Sequence, residues 1–200
     1  MDYILVLLGY LIGSVPTGWI IAKYVYQIDI KKEGSGNIGA TNLTRVIGKR
    51  AGTYTLLGDG LKALIFMLIL RYLIYKDWMT DENEAIWLFI CGLAVLVGNC
   101  FSVFMKFNGG KGGTTTYGVF LALAPLPAIT SIMIYAVALI FLRVSAIGTL
   151  SSTILLWVWI YSYYLPSFQK EYLIYLSLCF ALVVWIRHIP NIRKMIKERL

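Results

Sequence analysis

Charged residues, cysteine and histidine are scarce in this 200-residue chain. Only 14% of its residues are charged and 59% are apolar, which excludes an ordinary soluble globular domain. The single histidine, His188, has no cluster of thiols or carboxylates near it in the sequence, so no metal site is expected. The three cysteines, Cys91, Cys100 and Cys179, lie inside apolar runs and indicate buried thiols, not a disulfide framework.

Long apolar runs make up most of the chain, and the mean hydropathy is +0.74. A membrane-spanning helix needs about 20 apolar residues. Clear runs lie at 3–22, 52–75, 85–105 and 147–164, with a fifth at 171–187. Residues 114–142 are too many for one crossing, and Pro125 and Pro127 predict a hairpin of two helices there. The sequence therefore predicts an all-α, polytopic integral membrane bundle of about seven transmembrane helices, as one domain over residues 1–200.

The net charge of +8 comes from basic residues clustered between the apolar runs. This pattern is typical of membrane topology and not of a nucleic-acid-binding surface. An N-terminus outside the cell places fourteen of the 18 Lys and Arg on the cytoplasmic side, where such residues accumulate. The C-terminus and both glycine-rich breaks described below are then predicted to be cytoplasmic.

The first break contains GSGNIGATN at residues 34–42, here called the glycine loop. Its G-x-G-x-x-G spacing matches a dinucleotide-binding turn, but membrane helices flank it in place of the βαβ unit that such a turn needs. Glycines still allow backbone N–H groups to converge on an anion, and Arg45 adds a guanidinium suited to phosphate. A flexible linker with ordinary helix caps is the alternative, but the density of glycines and short polar residues favours a phosphate site.

The second break is FNGGKGGTTT at residues 107–116, here called the lysine loop. It is not a Walker A loop, because Met105 stands at the first glycine position and Gly112 follows the lysine. Lys111 is either a cytoplasmic topology marker or a phosphate ligand. Two glycine-rich basic breaks on one membrane face favour a shared anion site.

Two charges, Asp59 and Lys62, interrupt the apolar run LLGDGLKALIF. Their i, i+3 spacing places them on one helix face, and ionisable groups at membrane depth are costly unless paired or hydrated. Either they pair with each other, or Lys62 faces the same phosphate pocket as Arg45.

Five ordered blocks resemble one family, the bacterial acyl-phosphate:glycerol-3-phosphate acyltransferases (PlsY). They are GSVPTG at 13–18, GSGNIGATNLTR at 34–45, LLGDGLK at 56–62, FNGGKG at 107–112 and RHIPNI at 187–192. The resemblance implies transfer of a fatty acyl group from acyl phosphate to the sn-1 hydroxyl of glycerol 3-phosphate, giving lysophosphatidic acid and phosphate, the first committed step of phospholipid synthesis. It also implies a site at the cytoplasmic face of the bacterial plasma (inner) membrane.

The resemblance also carries roles to matching positions. The implied catalytic residues are Ser35, Arg45, Lys111, His188 and Asn191. Together with Lys62, the residues expected to bind substrate or phosphate are Gly34, Gly36, Asn37, Gly39, Thr41, Asn42, Gly110, Gly112 and Ser145. The chain departs from the family pattern at Asn99 and Ser102, which replace the usual His and Pro, and after GGKG, where Gly113, Thr114 and Thr115 replace Val-Ala-Thr. Asn99 can form hydrogen bonds but cannot act as a base.

An acyl phosphate has a good leaving group, so the protein mainly has to hold two reactants at near-attack distance and stabilise developing negative charge. The chain has no H-x-x-x-x-D pair and no Ser/His/Asp set. We expect a substrate phosphate oxygen to accept the hydroxyl proton, with His188 as the only conventional general-base candidate. The expected partners are acyl phosphate, glycerol 3-phosphate and the bilayer, with no cofactor, no nucleic acid and a monomeric state.

Two alternatives come from other classes. A transporter of a small phosphorylated metabolite would also use intramembrane charges and basic loops, although the polar groups cluster on one face and no inverted repeat is evident. A catalytically silent scaffold is the other, because Asn99 departs from the family pattern.

Overall fold

The computed structural model describes residues 2–76, 84–163 and 168–197, and within these ranges all regular structure is helical. The prediction of an all-α chain is therefore confirmed. A π-helical segment, Ile21–Val25, and a 3-10 turn, Val103–Met105, accompany the helices. The α-helices are α1 (Asp2–Ser14), α2 (Thr17–Ile20), α3 (Ala40–Val46), α4 (Lys49–Tyr75), α5 (Glu84–Cys100), α6 (Gly113–Leu123), α7 (Pro125–Leu142), α8 (Ser145–Tyr163) and α9 (Phe168–Lys197).

Several of these helices are suited to a bilayer. Among the described residues, four segments are long and apolar enough to cross a membrane, Glu84–Met105, Pro125–Leu142, Ser145–Ser162 and Glu171–Arg193, and the bent pair Tyr3–Ser14 and Thr17–Val25 brings the number to five. Large apolar side chains such as Ile140 and Phe141 are mostly exposed, as expected where lipid is the solvent. The structure thus supports a multi-pass membrane protein, and the count of seven crossings stays a prediction.

The first predicted span, residues 3–22, is not one continuous helix. It breaks after Ser14, bends by 40° and resumes at Thr17. The cause is Pro16, which has no N–H to donate and which disfavours helical geometry at the residue before it. The break leaves carbonyl groups near Val15 without hydrogen-bond donors from the helix, and side chains from other parts of the chain donate to them.

The predicted proline hairpin over residues 114–142 is present as two helices. Helix α6 ends at Leu123 and α7 begins at Pro125, because proline is favoured in the first turn of a helix and excluded from its interior. Arg71 on α4 donates a hydrogen bond to the carbonyl oxygen of Ala122 in the last turn of α6. Helix α6 has 11 residues, about 16 Å at 1.5 Å per residue, so it is about half as long as the hydrocarbon core is thick.

The bundle packs closely where α1 meets α5. A Cβ atom on Gly13 would lie 2.2 Å from the carbonyl oxygen of Val95, and one on Gly98 would lie 2.1 Å from that of Tyr10. Only glycine permits this approach in both directions. The main apolar core is formed by side chains of α4, α5, α6, α8 and α9, among them Met67, Leu96, Phe120, Leu156 and Phe180.

Both glycine-rich breaks lie at the same end of this bundle. The glycine loop leads into α3 and then the start of α4, and the lysine loop joins the end of α5 to the start of α6. The C-terminal half of α9 reaches the same end, because Arg187 contacts the lysine loop. We call this the loop end of the bundle.

Candidate functional site

Asn42 organises the glycine loop from within. Its Oδ1 accepts a hydrogen bond from the N–H of Ser35 at 2.9 Å, and its Nδ2 donates to the carbonyl oxygens of Glu33 and Asn37 at 3.0 and 2.9 Å. A Cβ on Gly34 would lie 2.4 Å from Asn42 Oδ1, so that position must be glycine. Asn42 is thus occupied inside the loop, and contact with a phosphate would require exchange of these bonds.

The rest of the loop turns tightly toward α3. Gly34 and Gly36 have φ angles of 60° and 68°, in the left-handed region that favours glycine. The side chain of Asn37 accepts a hydrogen bond from the N–H of Gly39 at 2.8 Å, just before α3 begins. The predicted site residues Ser35, Thr41 and Arg45 are exposed at this end of the molecule.

The lysine loop folds back onto the last turn of α5. The N–H groups of Gly109 and Gly110 donate to the carbonyl oxygens of Cys100 and Asn99 at 3.1 and 2.8 Å. Gly112 has a φ of 81° and is the N-cap of α6. These contacts leave Lys111 at the tip of the turn, where it is half-buried.

Arg187 on α9 completes the lysine loop. Its Nη2 donates to the carbonyl oxygens of Gly109 and Gly110 at 3.0 and 3.1 Å, and its Nε donates to Gly110 at 3.2 Å. Its guanidinium carbon also lies 5.3 Å from the centre of the Phe101 ring. Sequence reasoning placed Arg187 in the RHIPNI block and among the cytoplasmic charges and gave it no role at the site, because its backbone acceptors carry no sequence signal.

Both loops meet the first two turns of α8. The hydroxyl of Thr41 lies 2.9 Å from that of Ser145, and the hydroxyl of Tyr135 lies 3.2 Å from Ser145. One turn further along α8, Thr149 Cγ2 would lie 3.1 Å from a Cβ on Gly113. The first two turns of α8 therefore hold the glycine loop and the start of α6 side by side.

A small buried apolar cluster connects the glycine loop to the chain just before the lysine loop. It consists of Ala22, Ile30, Ile38, Leu43, Ala51 and Met105. Ile38 and Leu43 come from the glycine loop and α3, whereas Met105 comes from the 3-10 turn just before the lysine loop. Because all six are buried, a displacement of one loop disturbs the packing of the other.

The charges of the two loops act on each other. Burial, together with the smaller effect of the positive charges of Arg187 and Arg45, lowers the pKa of Lys111 from its usual value of 10.5 to about 8. Three cations near one point leave an unbalanced positive potential. The site can therefore take a ligand with at least one strong negative charge.

His188 and Asn191 lie one helical turn apart on α9. Both follow the apolar run at 171–187, but the helix does not end there, since α9 continues through Pro190 to Lys197. His188 is 5% exposed, and its Nδ1 lies 2.7 Å from the carbonyl oxygen of Val184. A carbonyl only accepts, so Nδ1 carries the hydrogen and Nε2 is the acceptor in the neutral ring.

Lys62 and Asp59 pair with each other. Their charged atoms are 2.7 Å apart, the side chains are only 11% and 15% exposed, and Lys62 also donates to the carbonyl oxygen of Val15 at 2.7 Å. Lys62 thereby supplies a donor at the break that Pro16 introduces. The binding of a substrate phosphate by Lys62 stays a prediction.

Two of the departures from the family pattern, Asn99 and Ser102, lie at the end of α5. Asn99 is buried, and its backbone carbonyl, which a residue of any type would supply, accepts the hydrogen bond from Gly110. Ser102 uses its side chain: the hydroxyl donates to the carbonyl oxygen of Ser14 at 2.5 Å. Ser102 therefore ties the end of α1 to the end of α5. Within the described ranges, no three His, Cys, Asp or Glu side chains are grouped to hold a metal ion.

Fold and site together define a class, a helical integral membrane protein with a cationic, glycine-lined site at one end of its bundle. A family model described as glycerol-3-phosphate acyltransferase matches residues 3–198. Glycerol-3-phosphate acyltransferases of Geotalea daltonii and Trichlorobacter lovleyi are 36% and 38% identical over 195 and 188 residues, covering 97% and 94% of this chain and 93% and 90% of those proteins.

The solved structures point to the same family. Two crystal structures of PlsY (YgiH), an integral membrane glycerol 3-phosphate acyltransferase, cover 99% of this chain, which covers 93% of each. The glycerol 3-phosphate form has a TM-score of 0.85 at 30% identity, and the lysophosphatidic acid form 0.83 at 29%. The chain belongs to the glycerol-3-phosphate acyltransferase family, of the PlsY type.

Proposed function

We propose that this protein transfers a fatty acyl group from acyl phosphate to the sn-1 hydroxyl of glycerol 3-phosphate. The observation that carries the proposal is the meeting of both loops at the first two turns of α8, with Arg45 near enough to lower the pKa of Lys111. Both proposed substrates carry phosphate, and one also carries a long alkyl chain. A cationic site at the edge of an apolar bundle suits both.

The proposed reaction needs no covalent enzyme intermediate. The sn-1 hydroxyl oxygen attacks the acyl carbonyl carbon, a new ester C–O bond forms, and the bond between that carbon and the phosphate oxygen breaks. The products are lysophosphatidic acid and inorganic phosphate. Lys111 and Arg45 stabilise the negative charge on the phosphoryl groups and orient the two substrates.

The hydroxyl proton passes to a phosphate oxygen in this proposal. The leaving phosphate gains negative charge as its bond to carbon breaks, so it can accept the proton within the bound complex. His188 offers Nε2 as an acceptor and is the alternative base. Ser35, Thr41, Ser145 and Asn191 are proposed to contact the polar parts of the substrates.

The donor decides between reaction classes, so the test is an assay with purified protein. Detergent-solubilised enzyme receives glycerol 3-phosphate with palmitoyl phosphate, palmitoyl-CoA or palmitoyl-acyl carrier protein, and phosphate release and lysophosphatidic acid are measured. We expect turnover only with palmitoyl phosphate and the acyl group at sn-1. Lys111→Ala should abolish turnover, whereas Lys49→Ala, at an exposed lysine of the loop end, should not.

Two outcomes would contradict the proposal. Turnover with palmitoyl-CoA and none with palmitoyl phosphate would change the donor. Counterflow of labelled glycerol 3-phosphate across proteoliposomes, without product, would instead indicate a transporter.

A further inference from the structure

Arg187 has a role that neither the loops nor the catalytic set explains. It is half-buried on α9 and uses two of its nitrogen atoms on the carbonyl oxygens of Gly109 and Gly110. Both acceptors lie in the two residues directly before Lys111. A guanidinium is a planar fork whose donors are held in a fixed relation, so this contact fixes orientation as well as distance.

Peptide geometry carries this orientation to Lys111. In a planar trans peptide, the carbonyl of one residue and the N–H of the next point in opposite directions. Because Arg187 binds the Gly110 carbonyl, the N–H of Lys111 points away from the guanidinium. The Gly109 carbonyl is bound in the same way, and the N–H of Gly110 accordingly reaches the opposite acceptor, Asn99, at 2.8 Å.

The same contact removes an electrostatic obstacle. Two glycine carbonyl oxygens beside Lys111 would repel a phosphate if they faced it, since both carry partial negative charge. Arg187 turns them toward itself and lies over the Phe101 ring, 5.3 Å from its centre, which keeps the guanidinium in place.

We propose that Arg187 is a positioning residue, which holds the carbonyl groups of Gly109 and Gly110 away from the substrate phosphate and aims Lys111 at it. The proposal rests on the function proposed above. Arg187 also acts through its charge, which lowers the pKa of Lys111 more than the charge of Arg45 does.

Two variants of Arg187 distinguish the effect of its positive charge from the effect of its guanidinium geometry. Arg187→Lys keeps the positive charge and loses the fork, so kcat/KM for palmitoyl phosphate should fall between about tenfold and a hundredfold, while the titration of Lys111 stays near that of the wild type. Arg187→Gln loses both, so kcat/KM should fall and the pKa of Lys111 should rise by about half a pH unit or more. Arg193→Gln, at an exposed arginine on the same helix, should change neither.

The titration is measured without turnover, by the pH dependence of Lys111 acetylation with acetic anhydride, which releases acetate, read by mass spectrometry. A wild-type enzyme inactive with palmitoyl phosphate would contradict the proposed function but leave this comparison of titrations valid. Arg187→Lys with kcat/KM within about twofold of wild type would overturn the positioning role, and Arg187→Gln with wild-type Lys111 titration would overturn the electrostatic effect of Arg187 on Lys111. If Arg187→Gln does not fold, the Arg187→Lys result alone decides.

Discussion

Lys111 is the residue at which burial and function oppose each other. Burial and two neighbouring cations destabilise its charged form, yet a phosphate ligand needs that charge. A bound phosphate would reverse the balance, because an opposite charge favours the protonated amine. The free site is therefore poised to gain stability when an anion enters.

The lowered pKa of Lys111 predicts an alkaline limit to activity. Its amine is protonated below about pH 8 and neutral above it, so kcat/KM should fall with rising pH, by about tenfold per pH unit well above that value. A free lysine would hold its charge to about pH 10. The measurement is initial phosphate release against pH, corrected for spontaneous hydrolysis.

A conservative variant identifies the group responsible for this limit. Arginine stays charged above pH 12, so Lys111→Arg should move the alkaline limit upward in whatever activity it retains. Lys49→Arg is the matched control and should keep the wild-type profile. An unchanged limit in Lys111→Arg would assign it to another group.

His188 provides the second residue-scale prediction. If a substrate phosphate takes the proton, His188→Gln should reduce kcat by less than about tenfold, since glutamine still forms hydrogen bonds. The loss expected for removal of a general base is about 10²–10⁴-fold. The kcat at pH 7 decides, and a loss in that larger range would make His188 the base.

The sequence predicted some features of the candidate site and not others. It predicted the two loops and Lys111, because glycine and lysine at those spacings indicate an anion site whatever the fold. It did not predict that Asn42 holds the glycine loop together or that Arg187 binds the lysine loop. Both roles depend on backbone carbonyls, which carry no sequence signal and are placed only by the folded chain.

At the scale of helices, the break at Pro16 shows that run length alone does not predict a continuous helix. The run at 3–22 is mostly apolar and long enough for one crossing, but Pro16 within GSVPTG indicates an interruption. The partner that stabilises it, Lys62, lies 47 residues from Val15, and such distant pairing could not be predicted from the spacing of Asp59 and Lys62 alone.

The Asp59–Lys62 pair should be far more important for stability than a similar exposed pair. Lys62→Met leaves Asp59 charged and largely buried, which costs about 3–5 kcal/mol for a buried ion pair, and it removes the donor to Val15. Lys32 and Asp29 have the same i, i+3 spacing but are 82% and 50% exposed, so Lys32→Met should cost under about 1 kcal/mol.

Thermal unfolding of both variants in detergent measures this difference. The double variant Asp59→Asn, Lys62→Met should recover part of the loss, because it removes the unpaired charge. Equal stability of Lys62→Met and Lys32→Met would show that the pair does not stabilise the broken helix. A raised KM for glycerol 3-phosphate in folded Lys62→Met would instead support the predicted phosphate contact.

At the scale of the whole molecule, the seven longer helices of the described chain, all except α2 and α3, alternate in direction. Helices α1, α5, α7 and α9 end at the loop end of the bundle, whereas α4, α6 and α8 begin there, as the contacts among Ser14, Ser102, Thr41, Ser145 and Arg187 require. Seven helices that alternate in this way, with most basic residues at one end, lead us to propose that the chain passes through the membrane bundle seven times, although α6, with 11 residues, is too short to span the hydrocarbon core alone. The loop end then faces the cytoplasm and the N-terminus lies outside.

Cysteine labelling in spheroplasts tests this orientation. Lys49 and Arg143 are exposed near the loop end, and Tyr3 and Tyr75 are exposed near the opposite end. In a Cys179→Ser background, with Cys91 and Cys100 left buried, cysteines at Tyr3 and Tyr75 should react with a membrane-impermeant maleimide. Cysteines at Lys49 and Arg143 should react only after permeabilisation. The reverse pattern would place the site outside the cell and contradict the proposed orientation.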